Sequence, residues 1–261
     1  DHATYVARSN DLGKTWTRLQ SKEFTGFANK IIEDPIKNEI LFLGTEMGLF
    51  CSLNEGKDWF RMKNKIPEYA MVRDLQIHPK KHDLIIATHG RGIYILDDIR
   101  PIRNLDKTTL ESDVILFQTP DIVLNNGKFG WGGPEVSGGW NAWNAQEKPS
   151  FSYYLKDRIS SGKATLDILD EKGNLVQSMP ATLRKGINKV DWNLRGTPPR
   201  VAAGSTKMDG AGFTSPMVLP GTYTVKLTIK DKEYKGTVNC INYEENKDLS
   251  IEDRKIVYEK A

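Results

Sequence analysis

Two cysteines in 261 residues, Cys51 and Cys240, are too few for a disulfide framework and too few for a zinc site. Each is expected as a separate buried thiol. No Asn-x-Ser/Thr acceptor occurs, so nothing points to N-glycosylation. No run of about 18 apolar residues is present, which excludes a transmembrane helix. Charge of one sign is also lacking. The 37 Lys and Arg against 34 Asp and Glu leave a net +3 with no basic stripe. That argues against nucleic-acid binding through phosphate neutralisation. What the chain does have is 22 Gly, 12 Pro and many aromatics (6 Trp, 9 Tyr, 9 Phe) at 38% hydrophobic residues. This is the composition of a turn-rich globular protein of one or two domains, neither disordered nor collagenous.

An internal repeat organises the N-terminal part. Ser9-Asn10-Asp11-Leu12-Gly13-Lys14-Thr15-Trp16 recurs loosely 43 residues later as Ser52-Leu53-Asn54-Glu55-Gly56-Lys57-Asp58-Trp59. Asp34-Pro35 is followed 44 residues on by His78-Pro79, and Gly48-Leu49-Phe50 by Gly92-Ile93-Tyr94. Within one period, short strands are expected at 30–32, 39–43, 49–53 and 59–62, with a turn over 44–48. The next unit repeats them at 72–77, 84–88 and 93–96. Four strands per 40–45 residues is the spacing of β-propeller blades. Each octapeptide reads as a hairpin: Asp11 accepts backbone N–H groups, Gly13 supplies positive φ, and Trp16 is expected to bury its ring at the hairpin's foot. The structural set is Ser9, Asp11, Gly13, Thr15 and Trp16, then Ser52, Asn54, Gly56 and Trp59. The third unit shows three strands and the first only two. A propeller needs at least four blades, so earlier blades are expected upstream of Asp1 as partners of this segment.

After Arg100 the pattern changes. Residues 101–148 are expected as a connector ending in a Gly-rich loop that carries Trp131, Trp140 and Trp143. Strand signals resume at 151–155, 164–169, 175–177, 186–192, 221–229 and 234–241. Seven or so short strands with regular turns point to an immunoglobulin- or fibronectin-type β-sandwich over 149–243, with Trp192 in its core. Ser250-Ile251-Glu252-Asp253 reads as the capped start of a helix over 244–261, expected to continue in a longer parent. The fold expected is therefore all-β: an incomplete propeller of two to three blades over 1–100, a sandwich, and a C-terminal helix start.

The octapeptide Ser9–Trp16 matches S-x-D-x-G-x-T-W. With 78–98 and the sandwich pieces Tyr153–Leu155, Gly186–Arg195 and Leu219–Tyr223, it resembles a bacterial family of large secreted propeller proteins. That family is variously described as sialidase-like, Asp-box (BNR) or sortilin-like, and the resemblance covers most of the chain. It implies an immunoglobulin-like module after the propeller, and export to the periplasm or cell surface. It fixes no activity, because hydrolases, receptors and lectins share the motif.

Two functions compete. One is a binding or scaffold role toward a glycan or peptide, with Trp131, Trp140 and Trp143 stacking on sugars and His89 and Arg91 at the propeller mouth. This segment is then not catalytic by itself. The alternative is a glycoside hydrolase whose active site lies mainly in upstream blades. Asp74, Asp97 or Asp98 would supply carboxylates and Arg73 or Arg91 a cation, though the spacing fixes no pair. His78 and His82 are separated by a Pro-containing turn and are not expected to bind metal. No nucleophile triad or phosphate-cradling loop is recognisable, so no cofactor is implied.

Overall fold

The computed structural model describes residues 3–63, 66, 69–124, 149–198, 215–242 and 250–260. The chain divides into two units, Asp1–Leu110 and Glu111–Ala261.

The first unit holds three antiparallel sheets in which each strand pairs with the one before it. A two-stranded sheet joins β1 (Val6–Arg8) to β2 (Thr17–Leu19). A four-stranded sheet runs β3 (Ala28–Glu33), β4 (Leu41–Thr45), β5 (Gly48–Ser52) and β6 (Phe60–Arg61). A three-stranded sheet runs β7 (Val72–Ile77), β8 (Leu84–Thr88) and β9 (Ile93–Leu96). These are propeller-type blades. The repeat extends to detail, since β3 shifts register between Ala28 and Lys30 and β7 between Val72 and Asp74. The turns after β3 and β7 are capped alike. Asp34 Oδ1 accepts the Ile36 and Lys37 N–H groups, and His78 Nδ1 accepts those of Lys80 and Lys81. Two chemically different side chains thus close one turn, because each offers an acceptor at the same reach.

β4 begins two residues later than expected and runs through Gly44 and Thr45, leaving only Glu46-Met47 as the turn. Glycine there marks close packing. A Cβ on Gly44 would come within 2.5 Å of Val72 Cγ1, so the third sheet approaches the second where a side chain is missing. Asn29 Nδ2 donates to the Val72 carbonyl at 3.0 Å, and Lys30 pairs with Asp74 at 3.1 Å across the same junction. The opposite face of the second sheet packs Leu41, Leu43 and Phe50 with Val6 and Trp59, with Leu19 and Phe24 against them.

The expected connector of 101–148 is replaced at its start by two short helices, α1 (Arg100–Arg103) and α2 (Lys107–Glu111). Pro101 suits the first turn of α1, where its missing N–H costs nothing. This helix delivers Arg103 to Asp34, both buried, with Nη2–Oδ2 at 2.9 Å and Nε within 2.9 and 3.1 Å of the two carboxylate oxygens. Cys51 is fully buried and its thiol is pushed far up by that burial and by the nearby Asp34 charge.

The second unit begins earlier than 149. β10 (Val114–Leu116) and β11 (Ile122–Leu124), placed in the connector by sequence, are members of its two sheets. Three residues each, they are too short to show a periodicity. One sheet orders β10, β12 (Ser150–Leu155) and β15 (Gly186–Asp191). The other orders β11, β17 (Lys232–Asn242), β16 (Gly221–Ile229), β13 (Ala164–Leu169) and β14 (Leu175–Pro180), with β11 parallel to β17. The shared core contains Phe151, Tyr153, Leu166, Ile168, Val225 and Leu227 around Trp192, as in a β-sandwich. The Trp192 ring meets Phe151 and Tyr223 at 6.0 and 5.8 Å. Tyr223 donates its hydroxyl to the Leu219 carbonyl at 2.7 Å, the geometry of a tyrosine corner, and burial pushes its pKa up. Cys240 is a free buried thiol, raised to about 12 by burial. Helix α3 (Ile251–Lys260) is capped reciprocally: Ser250 Oγ accepts the Asp253 N–H and Asp253 Oδ2 accepts the Ser250 N–H. Its Arg254 is buried, donating to the Leu124 carbonyl at 3.4 Å.

Candidate functional site

Strand direction gives each blade two unlike ends. Turns β3–β4 and β5–β6 lie at the hairpin end. Turns β4–β5 and β8–β9 lie at the loop end, together with the segments that enter β3 and β7. Backbone bonds tie those entries to the turns in the same way in both blades. Glu46 N–H donates to the Phe27 carbonyl at 3.0 Å, and His89 N–H to the Met71 carbonyl at 2.9 Å.

The two octapeptides occupy the hairpin end. In the first, Asp11 Oδ1 accepts the Thr15 N–H at 2.8 Å and Oδ2 accepts the Thr15 hydroxyl at 2.7 Å. Ser9 Oγ donates to Asp11 and accepts the Gly13 N–H at 2.7 Å. The Thr15 hydroxyl, the Thr15 N–H and Ser9 hold the Asp11 carboxyl down to about 2. In the second, Asn54 replaces the carboxylate and Asp58 the threonine, and the hydrogen bond reverses. The Asn54 amide donates to Asp58 Oδ2 at 2.8 Å, while Asn54 Oδ1 accepts the Asp58 N–H at 2.8 Å. Ser52 Oγ accepts the Gly56 N–H at 2.8 Å. The two substitutions compensate each other. Leu12 and Glu55, each followed by glycine, hold φ of +59° and +62°, so both hairpins turn through two left-handed residues.

The tryptophans part company. Both donate Nε1–H, Trp16 to Gly13 and Trp59 to Gly56. Trp59 is 6% exposed, with Phe24 against its ring at 5.2 Å, whereas Trp16 is 65% exposed. The expected burial of Trp16 is therefore corrected. The hairpin fixes the indole N–H locally, but only a neighbouring sheet buries the ring.

The loop end carries groups that no sequence motif marks. Arg61, on β6, lies with Cζ 5.1 Å from the Phe50 ring centre and 5.4 Å from that of Tyr69, and donates Nη2–H to Thr25 Oγ1 at 2.7 Å. Tyr69 is 60% exposed, and Phe27 and Met47 are also exposed at this end. A guanidinium held between two rings is oriented before any ligand arrives. His89 and Arg91 sit at the β8–β9 turn of the third blade, both exposed. Position in the repeat was the signal that would have found Arg61 and Tyr69. They close the fourth strand and lead into the next first strand, where successive blades line up their loops. Trp131, Trp140 and Trp143 lie outside the described residues.

The candidate carboxylates do not converge. Asp74 is opposite Ala87 near the loop end, its carboxyl held below the usual range by the Lys30 ammonium and the Leu75 N–H. Asp98 lies past the other end of β9, where its N–H meets Asp83 Oδ1 and its carboxylate pairs with Arg100 at 2.6 Å. The four residue steps from Asp83 to Ala87 span roughly 13 Å, beyond the separation of either type of glycosidase pair. Arg73 is exposed on β7, and Asp97 is exposed just before Asp98. Among the described residues no group of three or more His, Cys, Asp or Glu is placed to hold a metal ion. No described helix is long and apolar enough to cross a membrane.

The class that these sheets define is a β-propeller segment joined to a β-sandwich. Residues 4–107, roughly two-fifths of the chain, match the family model described as Sortilin, neurotensin receptor 3 (Sortilin-Vps10), so the blade region is similar to that family. No curated protein matches the chain. Among solved structures it is similar to PorZ of Porphyromonas gingivalis, described as an essential bacterial surface component of the type-IX secretion system. That match has 14% identity and a TM-score of 0.26, over 89% of this chain and 34% of that one. A second match is the extracellular domain of the putative one-component system BT4673 from B. thetaiotaomicron, with 9% identity and a TM-score of 0.30. It covers 91% of this chain and 28% of the other. A Salmonella alpha-2-macroglobulin mutant matches at 9% identity and a TM-score of 0.29, over 79% and 12%. The chain thus spans about a third or less of the length of each of these structures.

Proposed function

We propose that this chain is the binding segment of a larger exported bacterial propeller protein, taking a glycan or peptide at the loop end of its blades and performing no chemistry itself. The observation that carries this is Arg61, stacked between Phe50 and Tyr69 and tethered to Thr25, beside the exposed Phe27 and Met47. A planar cation next to exposed rings suits a ligand that offers an anionic group and a flat apolar face, as an acidic sugar or a peptide carboxylate with its side chain does. His89 and Arg91 extend the same positive, polar character onto the next blade. The octapeptide hairpins serve as structural clasps at the opposite end. The second unit is an immunoglobulin-like module, a reading supported by the Trp192 core and the Tyr223 corner. Export to the periplasm or cell surface follows the resemblance of the Ser9–Trp16 motif. The hydrolase alternative is weakened by Asp74 and Asp98, which are ion-paired and lie at opposite ends of a blade.

The test is a calorimetric titration of the chain with neutral oligosaccharides, sialylated oligosaccharides and carboxylate-ended peptides. Saturable binding to one class is expected, weakened about tenfold or more by Arg61→Ala and by Tyr69→Ala, as loss of one stacked or charge-assisted contact implies. Binding that ignores both substitutions, or none to any ligand, overturns the reading. Release of free sugar during the titration supports the hydrolase instead.

A further inference from the structure

Arg61 is one of a pair. One repeat earlier, 43 residues back, stands Arg18 on β2. Arg18 is opposite Ala7 across β1 and β2, as Arg61 is opposite Phe50 across β5 and β6. Each guanidinium is laid over a ring. Arg18 Cζ is 4.4 Å from the centre of the Tyr5 ring, against 5.1 and 5.4 Å for Arg61 over Phe50 and Tyr69. β1 runs toward its octapeptide, so Tyr5, just before it, lies at the loop end. Different positions supply the rings, yet the stacked arginine recurs. Strand alternation also turns both arginines the same way. Val6 and its partner Leu19 face the second sheet, so Ala7 and Arg18 take the other face of the first. Phe50 faces the first sheet, and Arg61 shares its face. Arg61 is only partly buried with that sheet across it, so an arginine at this place stays reachable between sheets. Among the described residues neither arginine lies within ion-pair distance of a carboxylate. Asp74 and Glu46, at the same end, are engaged by the Lys30 ammonium and the Phe27 N–H.

We propose that the loop end binds an acidic peptide in polyproline II conformation, with carboxylates three residues apart, one on Arg18 and one on Arg61. This rests on the binding reading above and deepens it by naming the ligand and its spacing. Both arginines leave their sheets in the same direction, so one sheet-to-sheet spacing, about 10 Å, separates them. A polyproline II chain has three residues per turn and rises about 3.1 Å per residue. Every third side chain therefore returns to the same side after about 9 Å. A β-strand brings side chains to one side only at about 7 or 13 Å, and misses this spacing. Exposed Phe27, Met47 and Tyr69 offer apolar surface to the residues between the acids.

The test titrates the 261-residue chain calorimetrically with acetylated, amidated peptides that differ only in the placing of acids. One has two Asp three residues apart, one has two Asp two residues apart, and one has a single Asp with Asn in the other place. The three-apart peptide should bind roughly tenfold or more tighter than the single-acid peptide, through a second charge-assisted contact made within one complex. The two-apart peptide should gain little. Arg18→Gln should remove the gain, so that two acids bind as one does, and Arg18→Lys should restore part of it, which a folding defect would not allow. Arg61→Gln should weaken all three peptides. A second acid that adds nothing, or a gain that survives Arg18→Gln, overturns the inference while Arg61-dependent binding of one acid still stands. Equal gains at two and three residues refute the polyproline spacing. Tight binding confined to polyuronate or sialylated oligosaccharides makes the ligand a glycan and overturns the peptide. No binding of any acid overturns this inference and the binding reading together.

Discussion

The junction of the second and third sheets makes a sharp prediction, because one missing atom sets its spacing. In Gly44→Ala the new methyl lies 2.5 Å from Val72 Cγ1, 3.0 Å from its Cβ and 3.3 Å from its carbonyl oxygen. Carbon atoms at rest sit about 3.5–4.0 Å apart, so the overlap is about 1 Å or more. The obstacle is not the tip of a flexible chain. Valine is stiff at χ1, and both partners sit in strands held by ladder bonds. Overpacking of this kind costs about 1–3 kcal/mol, against about 0.4–1 kcal/mol gained from a less flexible unfolded chain. A net loss of about 1–2 kcal/mol is expected. Val72→Ala alone should cost about 2 kcal/mol for two buried methyl groups. With Val72→Ala already present, the 2.5 Å contact is gone while the 3.0 Å contact with the Cβ remains, so Gly44→Ala should cost about 1 kcal/mol less than in the parent chain, which is the coupling between the two sites. The assay is the rate of Cys51 modification as a function of urea, read peptide by peptide to separate it from Cys240. Cys51 lies on the face that this junction covers and belongs to the first unit. If Gly44→Ala costs the same with and without Val72→Ala, within about 0.3–0.5 kcal/mol, the reasoning fails.

Three further outcomes follow from other contacts. Arg103→Met should destabilise the first unit by about 3–5 kcal/mol at pH 7, measured by urea unfolding, because it leaves the buried Asp34 carboxylate unpaired. Burial pushes the Asp34 carboxyl up, but the Arg103 hydrogen bonds and the Lys37 and Ile36 N–H groups outweigh it, so it lies below the ordinary range. Its contribution is accordingly complete above the unfolded carboxylate pKa and lost as pH falls through the lower folded value. Arg103→Met should reverse that trend, losing less stability at acid pH than at neutral. Asp11 should titrate by carboxyl NMR with a midpoint near 2, and Thr15→Ala should raise the midpoint by removing the hydroxyl that contributes most. An Asp11 midpoint in the ordinary range would sink this account of the hairpin. Tyr223→Phe should cost the second unit about 1 kcal/mol by thermal denaturation, the value of the 2.7 Å bond to the Leu219 carbonyl, and an unchanged melting temperature would contradict it.

Much of the fold was legible because its signals are local. The strands at 72–77, 84–88, 93–96, 164–169 and 221–229 fall where alternation and turn residues place them. β14 runs on to Pro180 because its ladder with β13 continues past the three residues whose pattern stands out. β10, an apolar run in the sequence, and β11 fall within the expected connector because three residues carry no period, and their identity as strands comes from pairing with distant strands. Of the candidate site, His89 and Arg91 were visible as an unusual polar turn. Arg61 was not, because nothing in Trp-Phe-Arg-Met says that a tyrosine eight residues on will stack against it.

By itself the sequence determined the repeat and the paired hairpins, for these depend on turn chemistry within a few residues. It also contained the exchange of Asp11 and Thr15 for Asn54 and Asp58, which preserves one hydrogen bond by reversing its direction. Tertiary structure alone decided which faces are covered. Trp16 and Trp59 occupy the same place in the same motif and make the same indole bond, yet one is exposed and the other buried. Cys51 and Ile95, each on the third strand of its sheet and one repeat apart, are buried and exposed respectively. Burial is a property of what lies across a face, and the residues that cover a sheet come from another part of the chain.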